Sequence, residues 1–160
     1  MVEVSPLIRA AVIVADLDKS VAFYKDILGY EEVFFSGDLD DPVVNELLGM
    51  PDTSSTRATI LKQAGPAFGM LGLFEVTRPA PPRLDDSSHG CRIGQVCMVF
   101  YCTDLDEVCA KLAAHGARLI SEPKVLNIKG RPGQANREMT FLGPDGEMLN
   151  FIERDPAFAA

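Results

Sequence analysis

The segment Val14-Ala15-Asp16-Leu17-Asp18 recurs as Cys102-Thr103-Asp104-Leu105-Asp106, with the Asp-Leu-Asp core unchanged. Each copy closes an apolar run and opens a stretch with helical spacing. A second repeat follows in the same order: Gly65-Pro66, Met70-Leu71 and Phe74-Glu75 correspond to Gly143-Pro144, Met148-Leu149 and Ile152-Glu153. Two landmarks that recur roughly 80–90 residues apart indicate one supersecondary unit used twice.

Each copy predicts the element order β-α-β-β-β. In the first copy, the β-branched run at 7–14 is typical of a buried strand, and Asp16 or Asp18 caps a helix that Gly29 ends. Further strands are expected at 30–35, 57–62 and 69–76, with an acidic turn and short helix inserted at 40–49. The second copy predicts strands at 93–102, 117–121, 138–142 and 147–153, and a helix at 104–115.

Two such modules predict one domain over residues 1–160. We place the modules at 5–77 and 93–154, joined by the Pro-rich linker 78–92, and interpret 129–136 as a mobile loop of the kind that often covers ligand sites. One helix covers only one face of each sheet. The predicted fold is therefore α+β, with two curved mixed sheets whose bare faces enclose a cleft.

The composition excludes several classes of protein. The net charge of −8 and pI near 4.7 argue against nucleic acid as a partner, because phosphate binding needs clustered Lys and Arg. No apolar run reaches the roughly 18 residues of a membrane span, and no secretory signal is visible. The four cysteines lie within one stretch without a CxxC spacing, which favours reduced thiols and a cytoplasmic location.

The combined motifs resemble a known family. The pattern Val14-x-Asp16-Leu17-x-x-Ser20-x-x-Phe23-Tyr24-x-x-x-Leu28-Gly29, paired with Gly143-Pro144-Asp145-Gly146-x-x-x-x-Phe151-x-Glu153, is similar to the vicinal oxygen chelate superfamily. That superfamily includes glyoxalase I, bleomycin-resistance proteins and ring-cleaving dioxygenases. The resemblance covers essentially the whole chain and implies the paired-module fold. It does not imply one chemistry, since a single fold hosts unrelated activities.

Metal-dependent members of that superfamily carry His, Gln or Glu ligands at equivalent points of the two modules. Those points fall here on Arg9 and Gly72 in the first module, and on Cys97 and Asn150 in the second. Arginine is a cation, glycine has no side chain and asparagine is a weak neutral donor, so only Cys97 suits a soft metal. We therefore expect no cofactor and no metal site, with a divalent metal as the alternative.

Strand alternation assigns side chains to the cleft. It points Arg9 of the first strand, and Cys97 and Tyr101 of its counterpart, toward the cleft. Ile8 and Val96 are expected to meet the helices instead.

The candidate ligand-binding residues are Arg9, Cys97, Tyr101, Asn150 and Arg137. Arg9 suits an anion clamp, or else is an exposed strand-end arginine. Cys97 is a thiolate nucleophile or a small buried hydrophobic residue. Tyr101 and Asn150 hydrogen-bond either a ligand or their own neighbours. Arg137 closes over a substrate or forms a surface ion pair.

We expect a glyoxalase- or bleomycin-resistance-like protein that binds a small, partly apolar molecule in the cleft without a metal. Catalytic residues are unassigned. One alternative is a metal-dependent lyase, isomerase or dioxygenase of the same superfamily, and another is a metal-free enzyme that uses Cys97 or Tyr101. The expected partners are the small molecule and a second copy of the chain in a homodimer, because members of the superfamily often pair modules between chains and an open sheet edge invites association.

Overall fold

The chain divides into two compact units, Met1–Arg83 and Leu84–Ala160. The computed structural model describes residues 4–83, 91–127 and 135–154, without the side chains of residues 127 and 135. Unit 1 contains β1 (Arg9–Val14), α1 (Leu17–Leu28), β2 (Glu32–Asp38), α2 (Pro42–Leu47), β3 (Ser55–Lys62) and β4 (Met70–Thr77). Unit 2 contains β5 (Cys97–Cys102), α3 (Leu105–Ala114), β6 (Arg118–Asn127), β7 (Ala135–Leu142) and β8 (Met148–Glu153).

Both units have the same sheet topology. Unit 1 has the strand order β1-β4-β3-β2 and unit 2 the order β5-β8-β7-β6. In each, the first strand runs parallel to the last, and the other pairs are antiparallel. The predicted α+β fold of two tandem βαβββ modules is confirmed.

The repeated Asp-Leu-Asp segments start the main helices because their first aspartate is the N-cap. The Asp16 side chain accepts from the backbone N–H of Lys19, and the Asp104 side chain accepts from those of Asp106 and Glu107. Gly29 then ends α1 with a left-handed backbone, φ 63°, which a glycine adopts without steric cost.

Each helix covers one face of its sheet and builds the core there. In unit 1, Tyr24 of α1 and Leu61 and Leu71 of the sheet have almost no exposed surface. In unit 2, the buried side chains from the helix and the sheet are Leu105, Val108, Leu112, Met139, Phe141, Leu149 and Phe151. We call the opposite face of each sheet its distal face. No helix in the described residues is long and apolar enough to cross a membrane.

Several strand boundaries differ from the sequence-based prediction, and those of β5, β6 and β7 bear on the site. β5 begins at Cys97 rather than at residue 93, because Arg92 and Gln95 form a turn before it in which the Gln95 N–H donates to the Arg92 carbonyl. β1 begins at Arg9, so Ile8 and Val96 both precede their strands. They are 47% and 76% exposed instead of meeting the helices. Placing them against the helices was wrong.

β6 and β7 are both longer than predicted. β6 continues through Pro123 because it is an edge strand, where the missing N–H of a proline costs no sheet hydrogen bond. The register shifts on both sides of Ser121, including the step to Lys124 that passes Pro123. β7 begins at Ala135, so the predicted loop 129–136 ends inside a strand, and its residues 129–134 lie outside the described residues.

Candidate functional site

The distal face of unit 1 presents Arg9, whose side chain lies over the buried backbone of Gly72. Arg9 and Gly72 lie on the adjacent parallel strands β1 and β4. A Cβ atom at Gly72 would come within 2.9 Å of Arg9 Cδ and 2.8 Å of Phe74 Cε2. The missing side chain therefore makes room for the arginine stem and the phenyl ring. The Arg9 guanidinium carbon lies 5.9 Å from the centre of the Phe74 ring, at the outer range of a cation–π contact.

The distal face of unit 2 contains a cavity of about 480 Å³ that is wide open to solvent and is lined by residues of that unit alone. Its volume lies in the range of small-molecule sites. Strand pairing explains its composition, because Val99, Asn150 and Thr140 are successive partners across β5, β8 and β7 and project to the same side. The lining residues are Cys91, Cys97, Val99, Ile120, Glu138, Thr140, Met148, Asn150 and Ile152.

A short chain of hydrogen bonds orders the polar floor of this cavity. Asn150 Nδ2 donates to Thr140 Oγ1 at 3.1 Å, and the Thr140 backbone N–H donates to Ser121 Oγ at 3.1 Å. The bond fixes the orientation of the Asn150 amide. Asn150 Oδ1 has no hydrogen-bond partner within the described part of the chain, so it offers an acceptor to the cavity.

Glu138 adds a carboxylate to the cavity wall. It is partly buried, and among the described residues it makes no hydrogen bond and no ion pair. A carboxylate is a hydrogen-bond acceptor when ionised. Partial burial beside apolar side chains strengthens the hydrogen bond that it forms with a donor. The cavity thus presents two acceptors on a largely apolar surface.

Two of the predicted site residues, Cys97 and Asn150, lie together in this cavity. Burial, with a smaller effect from the charge of Cys91, raises the pKa of the Cys97 thiol. A raised pKa keeps Cys97 protonated at neutral pH, which argues against a ready thiolate nucleophile.

Tyr101 lies on the same distal face but does not line the cavity. Its ring is 64% exposed and stacks beneath Arg154, whose guanidinium carbon lies 4.3 Å from the ring centre. Sequence reasoning missed Arg154 because that residue follows the last strand, beyond the region where alternation applies. Of the two sequence-based alternatives for Tyr101, its own neighbour is the contact that the structure shows.

Arg137 lies on the helix-covered face and forms the ion pair that was its alternative interpretation. Its guanidinium is 2.6 Å from an Asp106 carboxylate oxygen and 3.3 Å from Glu153. Glu153 also accepts from the backbone N–H of Leu105 at the start of α3. The arginine thereby ties the helix N-terminus to β7 and β8, away from the cavity.

The same arrangement recurs in unit 1. Arg57 lies 2.6 Å from Glu75 and 3.5 Å from Asp18, and Glu75 accepts from the Leu17 N–H. We call each Asp–Arg–Glu set a helix clamp. The repeated sequence contains a signal for it, since the second aspartate of each Asp-Leu-Asp and the glutamate that ends each second landmark are two of its members.

The clamp of unit 2 predicts an effect of acid on stability. The hydrogen bond from Arg137, followed by its positive charge, lowers the pKa of the Asp106 carboxyl. A carboxyl whose pKa is lower when folded stabilises the fold above its unfolded pKa, and this contribution is lost as the pH falls through the folded pKa. We expect Asp106→Asn to lose less melting temperature than the wild type between pH 7 and pH 3, in a thermal melt followed by circular dichroism.

Asp40→Asn is the matched control, because Asp40 is exposed and makes no ion pair with any described residue. It should follow the wild-type pH profile. If the melting temperature depends on pH equally in Asp106→Asn and in the wild type, the clamp does not contribute to the acid sensitivity.

The residues at the superfamily's metal-ligand points do not form a set that suits a divalent ion. Within unit 1 the pair is Arg9 and Gly72, and within unit 2 it is Cys97 and Asn150, each on a distal face. A guanidinium repels a metal cation, and a neutral amide is a weak ligand. Among the residues that the model describes, no cluster of three or more His, Cys, Asp or Glu could hold a metal ion.

Comparison with known proteins identifies the family. The chain matches the model of the Glyoxalase/Bleomycin resistance protein/Dioxygenase superfamily over residues 7–151, and it belongs to that superfamily. No curated protein gives a significant match.

Solved structures support the same fold. A glyoxalase family protein from Bacillus cereus superposes with a TM-score of 0.74 at 17% identity, covering 96% of each chain. A glyoxalase/bleomycin resistance protein/dioxygenase domain from Frankia sp. gives 0.60 at 19% identity, covering 94% of this chain and 98% of the other. A glyoxalase I mutant from Zea mays gives 0.62 at 17% identity, covering 94% of this chain and 46% of the other. At these identities the likeness concerns the fold alone.

Proposed function

We propose that this chain is a metal-independent small-molecule-binding member of its superfamily. The observation that carries the proposal is the cavity of unit 2, where apolar side chains surround two hydrogen-bond acceptors, Asn150 Oδ1 and the Glu138 carboxylate. A concave, mostly apolar site with a few placed polar groups is typical of ligand binding. The donor set at the metal-ligand points gives no support to divalent-metal chemistry.

The cavity favours a ligand that is apolar and carries a hydrogen-bond donor, best a cationic amine. Glu138 supplies a charged acceptor, and the net charge of −8 attracts cations at long range. The anionic ligand that Arg9 suggested fits the distal face of unit 1 instead. We therefore assign the donor-bearing ligand to unit 2 and leave Arg9 as a separate anion-binding candidate.

Two enzyme hypotheses serve as rivals. A metal-dependent lyase, isomerase or dioxygenase requires a metal that the donor set does not suit. A metal-free enzyme using Cys97 requires a thiolate that its raised pKa disfavours. One using Tyr101 would have to act outside the cavity, which Tyr101 does not line.

A thermal-shift screen with and without chelator tests the proposal. The panel should contain hydrophobic amines, aromatic acids, thioesters and glutathione adducts. We expect amines to raise the melting temperature in chelator, and Glu138→Gln and Asn150→Leu each to weaken binding about 10-fold or more, since a hydrogen bond to a charged group contributes about 1.5–3 kcal/mol. Titration calorimetry measures the dissociation constants.

Glu107→Gln is the matched control, because this exposed glutamate on α3 pairs with Lys111 away from the cavity. It should bind as the wild type does. Chelator-sensitive turnover of a hemithioacetal or a catechol, with about one divalent metal per purified chain, would instead establish the metal-dependent enzyme.

The homodimer and the cytoplasmic location stay predictions. All four cysteines are free thiols, as expected of a reducing compartment. Sedimentation at micromolar concentration tests the dimer.

A further inference from the structure

We propose that Cys91, Cys97 and Met148 form a binding site for a soft monovalent cation, Cu(I) or Ag(I), in the cavity of unit 2. The site goes beyond the proposed binding of an organic ligand and does not depend on it. Only Cys97 coincides with one of the superfamily's metal-ligand points, and the set contains sulfur alone rather than nitrogen and oxygen ligands.

Strand pairing places two of the three residues side by side. Cys97 and Met148 are direct partners in the parallel pair β5–β8. Partners of this kind project from the same face of a sheet at the spacing of adjacent strands, about 5 Å. Both side chains line the cavity. The Met148 side chain is almost completely buried, with 5% of its surface exposed, so its thioether is held in place by packing.

A turn brings the third sulfur to the same cavity. The Gln95 backbone N–H donates to the Arg92 carbonyl at 3.1 Å, and Gln95 Oε1 accepts from the Arg92 N–H at 3.1 Å. Gly94 occupies the turn with φ 85°, a conformation that favours glycine. The turn reverses the chain between Cys91 and Cys97, and both thiols line one cavity. The charge of Cys91 contributes to the raised pKa of Cys97, which also indicates proximity.

The chemistry of these ligands selects the ion. Thiolate and thioether ligands are soft and favour Cu(I) over the hard cations that oxygen ligands bind. A cation that binds between the two sulfurs displaces the thiol protons and is then held by two negatively charged ligands. Because the thiols release protons on binding, the apparent affinity should rise with pH.

Unit 2 contains a second cysteine–methionine pair, which serves as a comparison for the proposed site. Cys109 Sγ lies 3.4 Å from the Met139 sulfur on the helix-covered face. That pair has one thiol, and it does not line the cavity. Cys109→Ser is therefore a matched control, since it removes a thiol that lies beside a methionine without touching the proposed site.

An anaerobic titration of the full chain with Cu(I), against a chromogenic Cu(I) chelator, tests the site. We expect one Cu(I) per chain, at least 10-fold weaker binding in Cys91→Ser and in Cys97→Ser, a smaller loss in Met148→Leu, and no change in Cys109→Ser. X-ray absorption should show sulfur neighbours only. Circular dichroism checks that each variant is folded, and Cys91→Ala serves as a second variant at the exposed position.

Three results would overturn the proposal: no binding by the reduced protein, binding that survives Cys91→Ser and Cys91→Ala, or an equal loss in Cys109→Ser. None of them bears on the amine-binding screen, which uses no copper. Conversely, a cavity that binds no organic ligand can still bind Cu(I), so the two proposals fail separately.

Discussion

Phe141→Ala should lower the free energy of unfolding of unit 2 by about 3–5 kcal/mol, the range typical of a buried phenylalanine truncated in a core. The Phe141 side chain has no exposed surface. Its ring meets Phe151 edge-to-face at 5.4 Å, and Phe151 meets Phe100 in the same way at 5.8 Å. Removing Phe141 leaves a void beside two rings whose positions the sheet backbone fixes, so the neighbours cannot close it.

Urea denaturation followed by circular dichroism measures the loss. Phe68→Ala is the control, because Phe68 is 52% exposed and should cost far less. Hydrogen exchange adds a second readout: amides of β7 and β8 should lose protection while those of β3 and β4 do not, since each unit has its own core. Equal losses in both variants would contradict the structure.

Asn45→Leu should lower the free energy of unfolding of unit 1 by about 1–3 kcal/mol for the hydrogen-bonding groups that it leaves unpaired. Asn45 is 5% exposed on α2. Its Nδ2 donates to the Ser54 carbonyl at 2.9 Å and to the Asp52 carbonyl at 3.3 Å, and its Oδ1 accepts from Thr56 Oγ1 at 3.4 Å. Leucine has a similar volume but cannot satisfy any of these groups.

A double-mutant cycle with Thr56→Val separates the hydrogen bond from packing. Thr56→Val removes the hydroxyl but keeps the branched shape, so the double variant should cost less than the sum of the single variants. Additive losses, measured by urea denaturation, would show that the Asn45–Thr56 hydrogen bond does not contribute to stability.

Short-range features made much of the fold predictable. The duplicated Asp-Leu-Asp segment predicted where both helices start, because an aspartate N-cap acts through its own neighbouring N–H groups. Strand ends were less predictable, because they depend on the partner strand. We expected this strand to end at residue 121, but β6 is an edge strand and continues past Pro123.

The error in one strand start also determined which residue was chosen for the site. We expected β7 to begin at Glu138 and placed Arg137 at a loop rim. The strand begins at Ala135, so Arg137 and Glu138 alternate, with Arg137 on the helix side and Glu138 toward the cavity. Cys97 and Asn150 were found because alternation along β5 and β8 assigned them to the correct face, although β5 starts later than predicted. Alternation alone could not assign Ile120 and Cys91 to the cavity. The position of Ile120 depends on the irregular register of β6, and that of Cys91 depends on the turn at Arg92.

The edges of the two sheets differ in how well each could pair with a strand of another chain. An edge strand with exposed apolar side chains is a template for pairing with another chain. β2 and β6 are such edges, with Phe34 at 55% and Val125 at 61% exposure. Both are irregular: the register of β2 shifts between Val33 and Phe35, and β6 contains Pro123. A bulged or proline-containing edge cannot continue a regular ladder.

The opposite edges, β1 and β5, have an unbroken register along all six residues of each strand. Any association by strand addition should therefore use β1 or β5 and leave β2 and β6 solvated. The irregular edges β2 and β6 thereby disfavour pairing with further strands, and β1 and β5 are the edges to test for association.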